Sequence, residues 1–512
     1  MALSQNSNTV QLKELCQERL GQTRIILASN RGPFEYYFTE DRRLQARRGS
    51  GGVVTALSCL GKYVDLSWVA SAMGGGDRQA AERAQGNHIK APLVGENLYL
   101  RFVVTHRNVY HKYYSVFCNP LLWFLQHYMW NSSRTPNINN VVYDAWENGY
   151  IPTNQAFAQA VIEEATENKP SPFVMLHDYH LYLAAAYIRS EMPHLIIQHF
   201  THIPWPAPDY WQLLPLLMRQ AICNGLCAAD IVGFQTRRDA QNFLHCCECF
   251  LDDADVDYRQ STVWIGSHLT QVNAYPVSVD VDGLNRTVSS ARAQEYGRKI
   301  QPLCGEHTIV RVDRAEPSKN IVRGFKAFNM LLERYPQFVG KVKFLAFLVP
   351  TRTNLRQYQR YMTEVTEIVD DINSRYGNGG WHPIEIFYEN NYVQAIAGMR
   401  FYDVLLVNAV IDGMNLVAKE GPTVNARDGV LILSESVGAH EQLGDYALSV
   451  APAVLEATTE ALYTALTMPA EERSSRALAL KKLIREEDVT RWIYRQLDDL
   501  INLSQERAVP VT

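Results

Sequence analysis

Strand-like and helix-like segments alternate along almost the whole chain, and this alternation limits the fold more than any other feature. Alternating β and α units call for parallel sheets covered by helices. "TRIILASN" (23–30), "SPFVMLHDYH" (171–180), "LIIQHFTHIPWP" (195–206) and "ADIVGFQT" (229–236) make one series of expected strands. "HTIVRVDRAEPSKN" (307–320), "KVKFLAFLVPTR" (341–352), "IEIFYEN" (384–390), "DVLLVNAV" (403–410) and "GVLILSES" (429–436) make a second. The break between them falls near "AYPVSVDVDGL" (274–284). For a chain of 512 residues, two or three domains is the starting expectation. The expected fold class is α/β, with two doubly wound Rossmann-like domains facing a cleft. Their expected extents are 1–284 and 285–485. A terminal helix over 486–512, opening on "EEDVTRWIYRQLDDLINL", packs on a domain or crosses back to the first.

In open parallel sheets, ligands sit at the carboxyl ends of the strands. Polar residues collect at those ends here: Asn30 and Arg31, His177 and Asp178, His202, and Gln235. The stretch "VNAVIDGMNLVAKEGPTVN" (407–425) poses the sharpest question. Its strand ends at Asn408, Asp412 and Gly413 come next, and a helix-like segment then carries Glu420. A helix N-terminus favours an anion. Two carboxylates beside it make sense if they grip hydroxyl groups of the same ligand, and a sugar nucleotide has both features.

Other motifs point the same way, each with a plainer alternative. "RRGSGG" (47–52) precedes the helical "VVTALSCL"; its glycines let backbone amides approach an anion, or form a surface loop. It is no Walker loop, because no Gly-Lys-Ser/Thr comes after it. Arg314 and Lys319 flank a turn shaped by Pro317, and Arg352 ends the next strand. Three cations at strand ends suit a diphosphate, against the alternative of solvated turns. His177-Asp178-Tyr179-His180 is a metal site or a strand end whose Asp orients a hydroxyl, and no third metal ligand is evident. His202 beside Pro204 and Pro206 is either a core histidine or a site residue. The aromatic run "YHKYYSVFCNPLLWFLQHYMW" (110–130) is mostly core, with a few rings left for a sugar face.

Several classes are excluded. The net charge of -5 gives no footing for nonspecific nucleic-acid binding. No apolar run approaches ~20 residues, so no membrane span is expected. The N-terminal "MALSQNSNTVQLKELCQERL" does not read as a secretion signal. Nine scattered cysteines, with Cys223, Cys227, Cys246, Cys247 and Cys249 nearest one another, lack paired C-x-x-C spacing and read as thiols on buried helices. Thiols without a leader indicate the cytoplasm. No Ser-His-Asp order, G-x-G-x-x-G or kinase motif set appears.

Together, "SNRGPF", "SGG", "YYSVFCNPLLW", "HDYHL", "HIPWPAPDYW", "VDRAEPSKN", "PTRTNLRQYQ", "DGMNLVAKE" and "LILSESVGAHEQL" resemble the trehalose-6-phosphate synthase family, retaining glycosyltransferases of the two-domain GT-B fold (glycosyltransferase family 20). The matches run from residue 29 to 443 in the family's order. The resemblance implies transfer of glucose from a nucleotide donor to glucose 6-phosphate, giving α,α-trehalose 6-phosphate. It implies a donor site of Gly52, His202, Arg314, Lys319, Asp412, Gly413, Met414, Asn415, Leu416 and Glu420. Within that site Asp412 would hold glucose hydroxyls, Glu420 the ribose, and amides near Met414–Leu416 the diphosphate. Asp178, His202, Arg314 and Lys319 would be the catalytic set. Arg31, Tyr114 and Arg352 would grip the acceptor phosphate, Trp68 and Trp123 wall its pocket, and Asp178 meet its hydroxyls. The expected partners are UDP-, GDP- or ADP-glucose and a sugar phosphate, with no nucleic acid and no membrane; a homo-oligomer stays open. No cofactor and no metal are expected.

The chain departs from the family in two places. The clamp loop, usually Leu-Asp-Tyr-Ser-Lys-Gly, is Ala315-Glu-Pro-Ser-Lys-Asn320, and Gly421-Pro-Thr423 stands where Tyr-Val-Ala is usual. These departures approach a branch that includes pseudo-glycosyltransferases. The alternative function is therefore transfer to another phosphorylated acceptor, glycerol 3-phosphate or a cyclitol phosphate. A silent sugar-phosphate-binding protein is the reading from another class.

Overall fold

The computed structural model describes residues 7–49, 54, 57–85, 88–91, 97–131, 135–167, 170–353 and 355–508. The chain divides into two compact units: Met1–Pro276 with Thr490–Thr512, and Val277–Val489.

The first unit is built on a ten-stranded sheet. Seven of its strands are parallel: Ile25–Ser29, Leu66–Ser71, Leu98–Val103, Phe173–His177, Ile196–Phe200, Ile231–Phe234 and His268–Ala274. Counted in chain order, they lie across the sheet as 3-2-1-4-5-6-7. Ile25–Ser29, Leu66–Ser71 and Phe173–His177 are buried at every position, which is why the first and last read as continuous apolar runs rather than alternating ones. Short antiparallel strands finish both edges, Ile89–Lys90 on one side and Ala254–Asp257 with Thr262–Ile265 on the other. The terminal helix Val489–Ala508 packs within this unit from Thr490 onward. Trp492 donates its indole N–H to the Tyr275 carbonyl at 3.0 Å, and Tyr275 donates to Asp499 at 2.5 Å.

The second unit holds six parallel strands: His307–Arg314, Val342–Val349, Ile384–Tyr388, Val404–Val407, Val430–Ser434 and Leu448–Val450. In chain order they lie as 3-2-1-4-5-6. Helix Ile321–Arg334 packs Phe325, Phe328 and Leu331 onto Phe344 and Ile309 in its core.

Both sheets are thus the α/β parallel type expected from the alternation. In each, the order reverses between the first and fourth parallel strands. Such a reversal opens a crevice at the carboxyl ends, because the flanking connections leave to opposite faces. In unit 1 the reversal falls between Ser29 and His177, and in unit 2 between Arg314 and Val407. Among the described residues no helix is long and apolar enough to cross a membrane.

Candidate active site

In unit 2, the strand His307–Arg314 runs under the switch point and carries an unusual buried pair. Arg311 is fully buried and bonds Asp313 at 2.7 and 2.9 Å. Its guanidinium also donates to the carbonyls of Lys319 and Ile321, at 2.9 and 3.3 Å. Burial pushes the Asp313 carboxyl up, and Arg311 and Lys319 act against that. Gly324 makes room, since a Cβ there would fall 2.4 Å from Arg311 Nη1. The pair therefore fixes the short turn Pro317–Lys319 from beneath and aims Lys319 upward.

Lys319 Nζ meets the Asp412 carboxylate, which also accepts from Asn415 Nδ2 at 3.0 Å. Arg314 reaches Glu316 Oε1 at 2.9 Å, and Arg352 lies 3.6 Å from the other Glu316 oxygen. Glu316 is fully buried, so one carboxylate gathers two cations at neighbouring strand ends. Past Asp412 the chain turns into helix Val417–Val424. Among the described residues, no acceptor meets the backbone N–H of Met414, Asn415 or Leu416. Three open amides at a helix N-terminus, beside Lys319, form a site for an anion.

On the next turn, Glu420 lies within 3.4 Å of the Tyr392 hydroxyl, and burial pushes its carboxyl up to about 7. Its neighbour Lys419 is buried and donates to the Val277 carbonyl and Gln442 Oε1, each at 2.7 Å; burial pushes it down to about 7.

In unit 1, Asp178 lies just past its strand in the left-handed region, at φ 74. Its N–H donates to the Phe200 carbonyl at 2.7 Å, and its carboxylate accepts the His202 N–H at 3.3 Å. The His202 ring is held on both sides, by Gln235 Nε2 at 3.4 Å from Nδ1 and by His177 Nδ1 at 3.1 Å from Nε2. Burial, with His199 nearby, pushes His202 down to about 3, and burial also pushes His177 far down. These rings are neutral at physiological pH and act as hydrogen-bonding groups rather than cations. Tyr114 stacks between Tyr110 and His180, at 5.4 and 6.0 Å. Arg31 is half-exposed and 3.8 Å from Glu35, and Asn30 accepts from Ser71 Oγ at 3.0 Å.

Four site residues that are not glycine take positive φ: Asp178 at 74, Asn320 at 58, Arg352 at 44 and Asn415 at 70. Backbone held this way is costly and concentrates at functional sites. Asn320 explains one departure from the family pattern. Asparagine replaces glycine in the left-handed position it tolerates best, and its amide bonds the Asn408 and Pro452 carbonyls at 2.9 and 2.7 Å.

The structure brings Arg314, Lys319, Asp412, Gly413, Met414, Asn415, Leu416 and Arg352 together in unit 2, with Glu420 one turn on. It brings Arg31, Tyr114, Asp178 and His202 together in unit 1. Gly52 lies outside the described residues. Trp68 and Trp123 correct the expectation of pocket walls. Trp68 has no exposed surface and donates its indole N–H to Ser29 Oγ at 2.8 Å, and Trp123 is buried against His127 with ring centroids 4.0 Å apart. An aromatic run reads the same whether its rings face each other or a sugar. Among the described residues no group of three or more His, Cys, Asp or Glu is arranged to hold a metal ion. Cys223, Cys227, Cys246 and Cys247 are buried thiols. Sequence reasoning missed Arg311, Asp313 and Glu316, whose only signal is charge inside or just past an apolar strand. It also missed Tyr392, which only the tertiary structure puts beside Glu420.

The family model for glycosyltransferase family 20 matches residues 23–502. Alpha,alpha-trehalose-phosphate synthase [UDP-forming] A of Dictyostelium discoideum is 28% identical over 475 residues, covering 92% of this chain and 61% of that protein. Validamine 7-phosphate valienyltransferase of Streptomyces hygroscopicus subsp. jinggangensis is 29% identical over 483 residues, covering 93% of this chain and 94% of that protein. The crystal structure of an alpha,alpha-trehalose-phosphate synthase (UDP-forming) from Burkholderia xenovorans in complex with glucose-6-phosphate superposes with a TM-score of 0.79 at 26% identity, covering 93% of this chain and 99% of that one.

Proposed function

The chain belongs to glycosyltransferase family 20, and from that premise we propose that it moves glucose, with retention, from a nucleotide-glucose to glucose 6-phosphate, giving α,α-trehalose 6-phosphate. One observation carries this reading above the others: Lys319 and Asp412 stand paired beside three open amides at the switch point of unit 2. A diphosphate needs the cation and the amides, and the sugar attached to it needs the carboxylate.

The chemistry is set by that arrangement. As the glycosidic bond to the diphosphate stretches, negative charge grows on the leaving phosphate and positive charge on the sugar ring. Lys319, Arg314 and the amides of Met414–Leu416 take up the negative charge, and because they are fixed beforehand they do so without reorganisation. Lys319 has by then exchanged Asp412 for phosphate, on donor binding, which frees the carboxylate for glucose hydroxyls. Glu420 takes the ribose. Asp178 orients the acceptor hydroxyl. Neutral His202, held by Gln235 and His177, carries no charge to repel a cationic ring. The acceptor oxygen forms its bond to the anomeric carbon on the face that the phosphate leaves, and the leaving phosphate takes its proton, so retention requires no enzymic nucleophile. Positioning two sugars supplies much of the rate, as proximity effects reach ~7–11 kcal/mol. With the leaving charge met by side chains and amides, the reaction needs no metal. The cytoplasm, which keeps the buried thiols reduced, is the expected compartment.

The second reading rests on the Streptomyces relative, which is as similar to this chain as the Dictyostelium synthase is. Under it, the same donor machinery serves a cyclitol phosphate or glycerol 3-phosphate.

Purified protein incubated with glucose 6-phosphate and UDP-, GDP- or ADP-glucose separately, in excess EDTA, decides between them. The expected product is a non-reducing disaccharide phosphate with two α anomeric NMR signals. Nucleotide release without disaccharide, together with coupling to a cyclitol phosphate or glycerol 3-phosphate, would replace the first reading with the second.

A further inference from the structure

The cations of the unit 2 crevice are not tethered alike. Arg311 meets Asp313 and Lys319 meets Asp412, one carboxylate each. Arg314 and Arg352 share Glu316: Arg314 Nη2 lies 2.9 Å from Oε1, and Arg352 Nη1 lies 3.6 Å from Oε2. The Glu316 side chain has no exposed surface, whereas that of Arg314 is 47% exposed and that of Arg352 15%. A carboxylate buried in this way gains nothing from water, so the guanidinium groups beside it must balance its charge.

The backbone around Glu316 is set independently of these side chains. Arg314 ends its strand in register with Val349, the last residue of the neighbouring strand, and the Ala315 N–H donates to the Val349 carbonyl at 2.9 Å. The Glu316 N–H donates to the Arg314 carbonyl at 2.8 Å, and the Glu316 carbonyl accepts the Lys319 N–H at 3.1 Å. Ser318 Oγ donates to Oε1 at 3.3 Å. Arg352 also donates to the hydroxyl of buried Tyr358 and lies over its ring, 5.5 Å from the centroid. With the strand ends fixed, the carboxylate decides where the two guanidinium groups point. The clamp loop usually carries Asp at this place, and Glu316 has one methylene more of reach.

The two arginines serve different substrates: Arg314 is assigned to the donor diphosphate and Arg352 to the acceptor phosphate. We propose that Glu316 is a positioning residue that couples these two phosphate grips, by holding one guanidinium on each of its oxygens. Removing either arginine leaves the whole carboxylate to the other, which is then held harder and offers less charge to its phosphate. Removing the carboxylate leaves both cations stronger and neither aimed. The words donor and acceptor rest on the transferase reading; the coupling of two phosphate grips does not.

Calorimetric titration of the full chain with glucose 6-phosphate, and with whichever of UDP-, GDP- and ADP-glucose wild type binds most tightly, tests it. The proteins are wild type, Arg314→Gln, Arg352→Gln, Glu316→Gln and the two double variants that add Glu316→Gln to each arginine change. Arg352→Gln should weaken nucleotide-glucose about threefold, the size of a part-exposed ion pair, although Arg352 is assigned to the other substrate. Arg314→Gln should weaken glucose 6-phosphate by a similar factor. Both cross effects should vanish in the Glu316→Gln background. A plain loss of through-space attraction would persist there, and would fade as salt shortens the screening length from ~10 Å at about 0.1 M to ~3 Å at about 1 M. Where Glu316→Gln does not fold, that salt series on the single arginine variants decides, since coupling through a buried carboxylate survives it. Folded Glu316→Gln should bind both ligands at full stoichiometry, at least as tightly as wild type, and lose about tenfold in kcat because the cations are no longer aimed. A merely structural role would weaken binding or lower the stoichiometry instead. Absent cross effects, cross effects that persist without Glu316, or an unchanged kcat in Glu316→Gln would overturn the proposal. Transfer without cross effects removes the role of Glu316 alone. Cross effects without transfer to glucose 6-phosphate uphold the coupling and remove the synthase reading.

Discussion

The two switch points have the same topology and opposite electrostatics. In unit 2 the crevice is made of ions. Arg311 pairs with Asp313, Lys319 with Asp412, and Arg314 and Arg352 share Glu316. In unit 1 the centre is made of neutral rings, with His177, His202 and His199 pushed down by burial and Tyr114 stacked between Tyr110 and His180. The difference matches the separate tasks of the two ends in a glycosyl transfer. Charge develops on the leaving diphosphate, so that side needs fixed cations. The sugar side needs shape and hydrogen bonds, and a cation there would oppose the developing positive ring.

The largest loss is expected where unit 2's ions are deepest. Arg311→Met leaves Asp313 buried without its partner and releases the Lys319 turn. Breaking such a pair on one side costs about 3–5 kcal/mol. A urea melt should show the midpoint falling with an unchanged slope. A loss under ~1 kcal/mol would mean that the turn is held by something else.

Next in size is Lys319→Ala. Removing one preorganised group from a developing charge costs roughly 10²–10³ in kcat. Steady-state kinetics should show kcat and kcat/KM falling together, because the interaction grows in the transition state. A rise in KM alone would make Lys319 an ordinary binding group.

Unit 1 is expected to respond less and differently. With Gln235 Nε2 donating to Nδ1, His202 carries its proton on Nε2 and donates toward His177. Gln235→Leu removes that selection and should cost about tenfold in kcat, the size of one neutral hydrogen bond. The ¹⁵N shifts of His202 should move from one tautomer to a mixture, and Gln235→Glu should select the opposite tautomer. Unchanged shifts in both variants would make Gln235 a packing residue.

Much of this was legible in the sequence, for reasons specific to each residue. Most parallel strands were readable because burial on both faces leaves uninterrupted apolar runs, as in "FVMLH" and "VKFLAFLV"; Leu66–Ser71, Leu98–Val103, His268–Ala274 and Leu448–Val450, broken by polar residues or very short, were not. The edge strand Ala254–Asp257 was not, since "ADVD" is half-exposed and polar. Arg314, Lys319 and Asp412 stood out as charges just past strand ends. Arg311 did not, because a charge inside an apolar strand shows its purpose only when the turn folds back over it. The aromatic run misled at Trp123, whose ring is spent on the core.

An effect of similar size concerns pH. Burial raises Glu420 to about 7, with the Tyr392 hydroxyl acting against the rise. Between an ordinary carboxylate value and about 7 the folded protein holds a proton that the unfolded chain has released. This contribution to stability is present at low pH and is lost as pH rises through about 7. Ribose binding has the opposite sign, since an ionised carboxylate accepts from two hydroxyls and a protonated one does not. Nucleotide-glucose affinity should therefore rise about tenfold from pH 6 to pH 8, in step with the ionised fraction of a group titrating near 7. Lys419 titrates in the same range but points to Val277 and Gln442. Its loss of charge would move stability, with the contribution present at high pH and lost as pH falls through about 7, and would leave ribose contacts alone. Glu420→Gln separates the two. It should bind with the weaker affinity at every pH and flatten the profile, whereas a slope surviving in Glu420→Gln would assign the titration to Lys419.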